Sequence, residues 1–570
     1  MSLIDWIVLC CTLIIIVGYG VFKSRGNKNI DGYLLGSKSL PWYHIGFSVM
    51  ATQASAITFL SAPGLAYTSG MSFAQFYFGV PLAMIVLSIT FVPIFHRMRV
   101  FTAYEYLEKR FDVKTRAFTA FLFLLQRGLS TGITIYAPSV ILSSILQVNA
   151  TYTTLLIGCI VIFYTVYGGT KAVSYTQLLQ MGIIFIGLFL AGVMVVHLLP
   201  KDIGLVKALH IAGKSGRANA IDFSFDWNNQ YTLWSGLIGG FFLQLSYFGT
   251  DQSQVGRYLT GSSIRDSRLG LLMNGLVKVP LQFLILMIGI LVFAYYQYNQ
   301  PPLFFNKVEL KKIEQSPYQT ELTKIKEDYA SIFDEKQAQI DRLSAALDND
   351  DKQTVNDVRQ RLSAANEKTS TIRKELTDLM EKNDPKADTN DNNYIFLNFV
   401  TEKLPKGLIG LLIAIVFLAS MGSTASALNS LASTTVVDIY KRFINDNGSD
   451  IKYLNVSRIM TFFWGVFSII IALYASKLGN LLEAVNILGS LFYGTILGIF
   501  VVAFYLKYVQ GTATFVAAIL TEALVILCWK FDLMAFLWLN LVGCVFVVII
   551  ALMIQYIRNI LGRPSELPNR

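Results

Sequence analysis

This 570-residue sequence is poor in charge: 15% of its residues are Asp, Glu, Lys or Arg, against 54% apolar. It holds only four histidines and five cysteines. The histidines (His44, His96, His197 and His210) are scattered, and none is spaced with a Ser, Cys or carboxylate as a nucleophile–base pair would be. The cysteines (Cys10, Cys11, Cys159, Cys528 and Cys544) all lie in apolar runs with no metal or disulfide spacing. They read as small buried hydrophobes. No enzyme chemistry is expected from such a residue set. The net charge of +10 does not imply a nucleic-acid partner either, because of where the bases fall.

What the sequence has in abundance is apolar length. Runs of about 20 apolar residues, enough to cross a bilayer core of roughly 30 Å, recur along the chain. Their placement predicts thirteen spans, near 3–22, 43–61, 73–95, 117–147, 153–167, 174–198, 230–250, 270–298, 407–436, 454–476, 484–506, 511–529 and 535–557. Outside residues 303–395 the Lys and Arg residues concentrate in alternate loops, among them "KSRGNK", "HRMRVF" and "EKRFDVKTR". That asymmetry places those loops in the cytosol. The N-terminus is then outside and the C-terminus cytoplasmic, in a plasma membrane or, in a bacterium, the inner membrane. The first span lacks a basic n-region and a small-residue cleavage site, so it reads as a retained helix.

Residues 303–395 interrupt this pattern. They divide the chain into a first membrane region, residues 1–302, the insertion itself, and a second membrane region, residues 396–570. The insertion carries 19 acids and 15 bases. Apolar residues recur at three-to-four spacing through Leu322, Ile325, Tyr329 and Ile332, and then at Ile340, Leu343 and Leu347. They resume after "DNDDK" at Val355, Val358, Leu362, Ile372, Leu376 and Leu379. An apolar stripe on each of two helices predicts an antiparallel, coiled-coil-like hairpin projecting on the outer side, each arm about 45 Å long. It reads as a solvated spacer, dispensable for transport, or as a surface for a protein partner.

The most informative stretch is "LASMGSTASALNSLASTTVVDIYKRF", which continues an apolar run from residue 407. Eight of the sixteen residues from Ser420 to Thr435 are Ser or Thr. Single hydroxyls in a membrane helix usually bond their own backbone or a neighbouring helix. Here Ser420, Ser423 and Thr424 share a face, and a hard monovalent cation is well served by several neutral oxygens. A second segment, "FSVMATQASAITFLSAPGLAYTSG", combines small residues, hydroxyls, Pro63 and Gly64. Such a span is expected to unwind near the midplane and free its carbonyls.

Four ordered stretches, "DGYLLGSKSLPWYHIGFSVMATQAS", "VYGGTKAVSYTQLLQ", "YFGTDQSQVGRYL" and "MGSTASALNSLASTTVVDIYKRF", resemble the sodium/solute symporter family. The wording "ASAITFLSAPGLAYTSG" is most similar to its iodide, monocarboxylate and vitamin branch. The resemblance implies an all-α polytopic membrane protein with a leucine-transporter-like fold: two inverted five-helix repeats, here spans two to six and seven to eleven. It implies a co-transported sodium held by the carbonyls of Ala51, Ala54 and Ser420 and the hydroxyls of Ser423 and Thr424. Where many relatives carry an acid after "YT", this chain has Gln177, which favours one sodium per cycle over two.

Galactose-carrying relatives place polar pocket residues at positions matching Gln53, Thr58, Tyr77, Gln244 and Leu482. The change of an acid to Tyr77 and of an amide to Leu482 weakens a neutral-sugar reading. Tyr247 matches a tyrosine that closes the inner side, and Lys278 resembles a lysine of sugar-type relatives. Lys278 and Arg127 would either snorkel to the inner surface or face the cavity, and the second case favours an anionic substrate. The expectation is a sodium-coupled symporter of a small organic solute, with an anion or monocarboxylate ahead of a sugar or sialic-acid-type substrate. A sensor or scaffold built around the hairpin is the alternative from another class.

Overall fold

The computed structural model describes residues 1–24, 39–98, 100–349, 351–385 and 387–561. Among these residues the regular structure is helical, with a single isolated bridge between Leu40 and Gly261. Nine helices among the described residues are long and apolar enough to cross a membrane, and a bent pair, Trp42–Gln53 and Ala56–Ser69, makes a tenth. Large apolar side chains such as Ile14, Phe163 and Phe189 stand exposed on the outside of the bundle, as lipid-facing positions do. Of the five cysteines expected to be buried, Cys10, Cys11 and Cys159 share that exposed belt and Cys544 is buried. A membrane span is apolar all round, so hydropathy alone does not separate core from lipid face.

Two shorter apolar helices among the described residues, Leu3–Ile16 and Ala150–Phe163, fall where two more of the thirteen expected spans lie. The first expected span coincides with the helix Leu3–Ser24. The spans expected at 153–167 and 174–198 lie in one uninterrupted run of helix, Ala150–His197. "VYGGTKAV" contains no proline, and glycine lowers helix propensity by only about 1 kcal/mol, so it need not end a helix. The span expected at 230–250 is a π-turn, Ser235–Gly239, leading into a short helix, Gly240–Thr250.

The bent pair breaks earlier than proline placement suggested. Pro63 lies inside the continuous helix Ala56–Ser69. The interruption is at Ala54 and Ser55, where ψ turns to 78° and 175° and the axis bends by 60°. Pro63 is instead a point of close approach. A side chain at Gly64 would collide with the Asn392 carbonyl, and one at Gly289 with the Pro63 carbonyl. The hydroxyl-rich helix, Leu408–Thr434, packs against both halves of the bent pair and against Leu3–Ser24. Its start is held by Asp5, whose carboxylate accepts the Gly407 N–H at 2.6 Å, with Gly407 at a φ of 90° that favours glycine.

The insertion forms the expected hairpin, with arms Gln319–Asp348 and Lys352–Asn383. Leu322, Ile325 and Tyr329 pack with Ile372, Leu376 and Leu379 in a core of their own. Ile340, Leu343, Val355, Val358 and Leu362 instead join the main core, and Lys207 pairs with Asp348 at 2.8 Å. The arms therefore lie against the body and do not project from it, so the apolar stripes are spent within the chain. At the neck, the Asp391 carboxylate accepts the Phe305 N–H at 2.7 Å and two contacts from Arg373 at 2.6 and 2.7 Å.

In the segment returning from the hairpin, Asp388 is half-buried. Burial, and then the nearby Glu309 and Asp391, push its carboxyl up to about 7. The folded state therefore keeps a proton that the unfolded chain has released. The stability from this group is fully present below the unfolded value near 4 and is lost as pH rises through about 7. Asp388→Asn, which holds the neutral form, should reduce the loss of thermal stability between pH 5 and pH 8 in detergent. An unchanged loss would mean that Asp388 is already ionised in the folded protein.

Candidate sodium and substrate site

In a continuous helix the Ser55 N–H would serve the Ala51 carbonyl and the Thr58 N–H would serve Ala54. At the break the Ser55 N–H donates to Gln53 at 3.0 Å, and the Thr58 N–H donates to Ser55 at 3.0 Å. Ala51 and Ala54 thereby lose their helical donors. On the facing helix the hydroxyls divide by role. Ser423 donates to the Ala419 carbonyl at 2.9 Å and approaches that of Ser420 at 3.2 Å, which leaves its oxygen lone pairs available. Ser430 and Ser433 donate to the carbonyls of Ser426 and Ser430 at 2.8 and 3.0 Å. Thr424 is fully buried, and its hydroxyl has no hydrogen-bond partner. A buried polar atom left this way costs about 1–3 kcal/mol unless something binds it.

Gln177 joins these elements. Its carbonyl accepts from the Ser48 hydroxyl at 2.6 Å. Its amide nitrogen reaches the Thr52 and Ser426 oxygens at 3.2 Å each and the Gly422 carbonyl at 3.4 Å. One neutral side chain thus ties the first half of the bent pair to the hydroxyl-rich helix.

Beside the break is a pocket with about 610 Å³ of empty space, its open mouth included, lined by Gln53, Thr58, Tyr77, Gln244 and Tyr247 among others. The structure brings these five sequence-selected residues together. The amides of Gln53 and Gln244 meet at 3.3 Å, yet Gln53 Oε1 and Gln244 Nε2 remain buried without partners. Gln126 Oε1 and Asn486 Nδ2, also on the pocket wall, are in the same condition. Four unpaired amide atoms around one cavity suit a polar ligand. Sequence reasoning missed Gln126 and Asn486, since single amides in long spans carry no pattern.

Lys278 is the selected residue that does not line the pocket. It is fully buried, so it does not snorkel, and its ammonium lies 5.4 Å from the centroid of the Tyr77 ring. Tyr77, its aromatic neighbour, does line the cavity. Arg127 does line the pocket and faces Asp251 at 3.7 Å. Asp251 also accepts the Tyr493 hydroxyl at 2.8 Å and caps the next short helix through the Ser253 N–H at 2.8 Å. Tyr247 accepts from the Gln254 amide at 2.6 Å. The acid inside "GTDQSQ" was a visible N-cap signal, but its pairing with Arg127 spans more than a hundred residues.

With this geometry the comparisons with known proteins agree. The model described as "Sodium:solute symporter family" matches residues 33–307 and 384–521, leaving out most of the hairpin. The sodium/sialic acid symporter NanT of Aliivibrio fischeri is 24% identical over 553 residues, 96% of this chain and 92% of that one. The human sodium/iodide cotransporter is 30% identical over 305 residues, about half of each protein. The sodium/glucose cotransporter of Vibrio parahaemolyticus is 27% identical over 500 residues, 85% of this chain and 77% of that one. A solved structure of a Na+-coupled sialic acid symporter in a substrate-bound outward-open state shares the fold, with a TM-score of 0.75 over 98% of each chain at 23% identity. This chain belongs to the sodium:solute symporter family and is a multi-pass, sodium-coupled membrane transporter.

Proposed function

We propose that the protein couples inward movement of one sodium ion to import of a small organic anion by alternating access. The observation that carries the sodium reading is the orphaned Thr424 hydroxyl, on a helix packed against a break where Ala51 and Ala54 have lost their helical donors. Ser420 and Ser423 complete the oxygen set. A single ion is favoured because Gln177 is uncharged and its amide is already engaged with Ser48, Thr52, Ser426 and Gly422. Interrupted helices at Ala54–Ser55 and at Asp251 support two inverted five-helix repeats, each opening on a broken span.

The anion reading rests on Lys278. Among the described residues no carboxylate lies within ion-pair distance of it, and a buried cation left alone is costly. Rotation of the Tyr77 ring would connect its ammonium to the cavity. Arg127, by contrast, already has Asp251. A monocarboxylate-like solute and a sialic-acid-type sugar both carry the carboxylate that Lys278 would meet. The near full-length match to sodium/sialic acid symporters supports the second as well as the branch-like wording supports the first.

Uptake of a panel of monocarboxylates, sialic acids and neutral sugars into proteoliposomes, with and without an inward sodium gradient, tests the whole reading. Sodium-driven uptake of carboxylates with a sodium Hill coefficient near one is expected. A coefficient near two sinks the single ion, equal uptake in potassium sinks the coupling, and uptake confined to neutral sugars sinks the anion. Lys278→Gln should abolish carboxylate uptake while leaving surface level normal.

The sodium ligands can be tested singly. Thr424→Ala removes one oxygen ligand and should raise the sodium concentration for half-maximal uptake roughly ten- to hundredfold, the equivalent of about 1–3 kcal/mol by analogy with hydrogen bonds to charged groups. Thr424→Ser should behave close to the parent. Ser430→Ala and Ser433→Ala, whose hydroxyls bond their own helix, should leave the sodium curve unchanged. A shift with Ser430→Ala and none with Thr424→Ala would put the ion on another face.

A further inference from the structure

A second chamber lies where the hairpin meets the body, lined by none of the residues assigned above to the sodium site or the substrate pocket. It holds about 980 Å³ of empty space, its open mouth included, between the hairpin arms and the ends of two helices, Ala56–Ser69 and Ile264–Tyr298. Three cations line it, Arg217, Lys336 and Arg373. Of these, Arg373 is matched by Asp391 at 2.6 Å. Arg217 donates to the Thr68 carbonyl at the end of Ala56–Ser69 and lies 5.6 Å from the centroid of the Phe293 ring. Among the described residues neither Arg217 nor Lys336 has a carboxylate at ion-pair distance. Three positive charges against one negative, in a half-buried space, is an unbalanced arrangement.

Two further observations point to a ligand. Tyr296 on the chamber wall is 2% exposed, and its hydroxyl is buried without a partner. Burial, and then the neighbouring Arg217, lower the Lys336 ammonium to about 8, with no carboxylate at ion-pair distance among the described residues to offset them. The rest of the wall decides what kind of anion fits. Tyr67, Phe293, Tyr329 and Phe333 supply aromatic surface, which an inorganic ion would leave uncovered.

We infer that the chamber between the hairpin and the body is a binding site for a small organic carboxylate, held by Lys336 and Arg217 with the Tyr296 hydroxyl as a neutral donor. Lys336 comes from the first arm, so the site exists only with the hairpin in place. This explains why an insertion absent from the family match has its arms laid along the body. The inference does not depend on which solute is carried, since it concerns binding at a site separate from the pocket beside the helix break.

The test is calorimetric titration of the purified full-length protein in sodium-free detergent solution with benzoate, acetate, inorganic phosphate and neutral benzamide. Benzoate should bind more tightly than acetate or phosphate, and benzamide should not bind measurably. Lys336→Gln should weaken benzoate roughly tenfold or more, as loss of a hydrogen bond to a charged group does. Tyr296→Phe, which keeps the ring, should weaken it by a smaller factor. Lys368→Gln, on the second arm and paired with Glu335, serves as the control and should match the parent. Benzoate binding unchanged in both Lys336→Gln and Tyr296→Phe would overturn the site, as would benzamide binding as well as benzoate. Preference for phosphate over benzoate would overturn the organic assignment. Sodium-driven uptake is read separately in proteoliposomes, so loss of transport with intact benzoate binding, or the reverse, tells the two sites apart.

Discussion

A bilayer offers no water to a stray backbone group, so a transmembrane helix that stops hydrogen-bonding to itself must find other partners. The proposed sodium site and the pocket beside it are arranged around one such stop, at Ala54 and Ser55. The N–H groups there turn inward on the local chain, to Gln53 and Ser55, and the carbonyls of Ala51 and Ala54 are released. Each unpaired group costs on the order of 1–3 kcal/mol in a low-dielectric core. The break is therefore stable only if its surroundings over-determine it. They do so through polar ties: Thr52 to Ser426 at 3.4 Å, Ser48 to Gln177 at 2.6 Å, and Gln53 to Gln244 at 3.3 Å.

These ties are neutral, and that choice has a physical logic. Fixed carboxylates near the ion would hold it too firmly to release and would carry a large desolvation cost. Hydroxyls, amides and carbonyls supply oxygen with little net charge. Full charges are kept one layer further out and mostly in pairs: Arg127 with Asp251, and Arg116 with Asp438 at 2.7 Å. Lys278 lacks such a partner, as does Glu522 on the helix Gly511–Lys530, and the substrate reading leans on Lys278 because its neighbour Tyr77 lines the pocket.

The hydroxyl stripe was legible in the sequence because its density exceeds what helix packing alone calls for, and the hairpin because its apolar spacing persists over both arms. The location of the break was not. Pro63 is the conspicuous breaker, yet it lies inside the continuous helix Ala56–Ser69, which starts after the break. Nor does sequence say which way a buried lysine turns. Lys278 had two expected destinations, the inner surface and the cavity, and the structure puts it at neither, buried with its ammonium 5.4 Å from the centroid of the Tyr77 ring. The attachment of the hairpin to the body was hidden for a related reason. Ile340, Leu343 and Leu362 satisfy a two-helix stripe equally well whether a third surface covers them or not.

The hairpin enters and leaves through one narrow neck, where Asp391 accepts the Phe305 N–H at 2.7 Å and Lys307 pairs with Glu402. The two ends of the insertion are thus clamped side by side by a handful of polar contacts. A segment mounted in this way can be acquired or lost as a cassette, because removing it requires no change in the distance between the spans it separates. The family match resumes at residue 384, just where the second arm ends. In terms of descent, the transporter and its hairpin are free to have separate histories, joined at a seam that asks only for one carboxylate and a short turn.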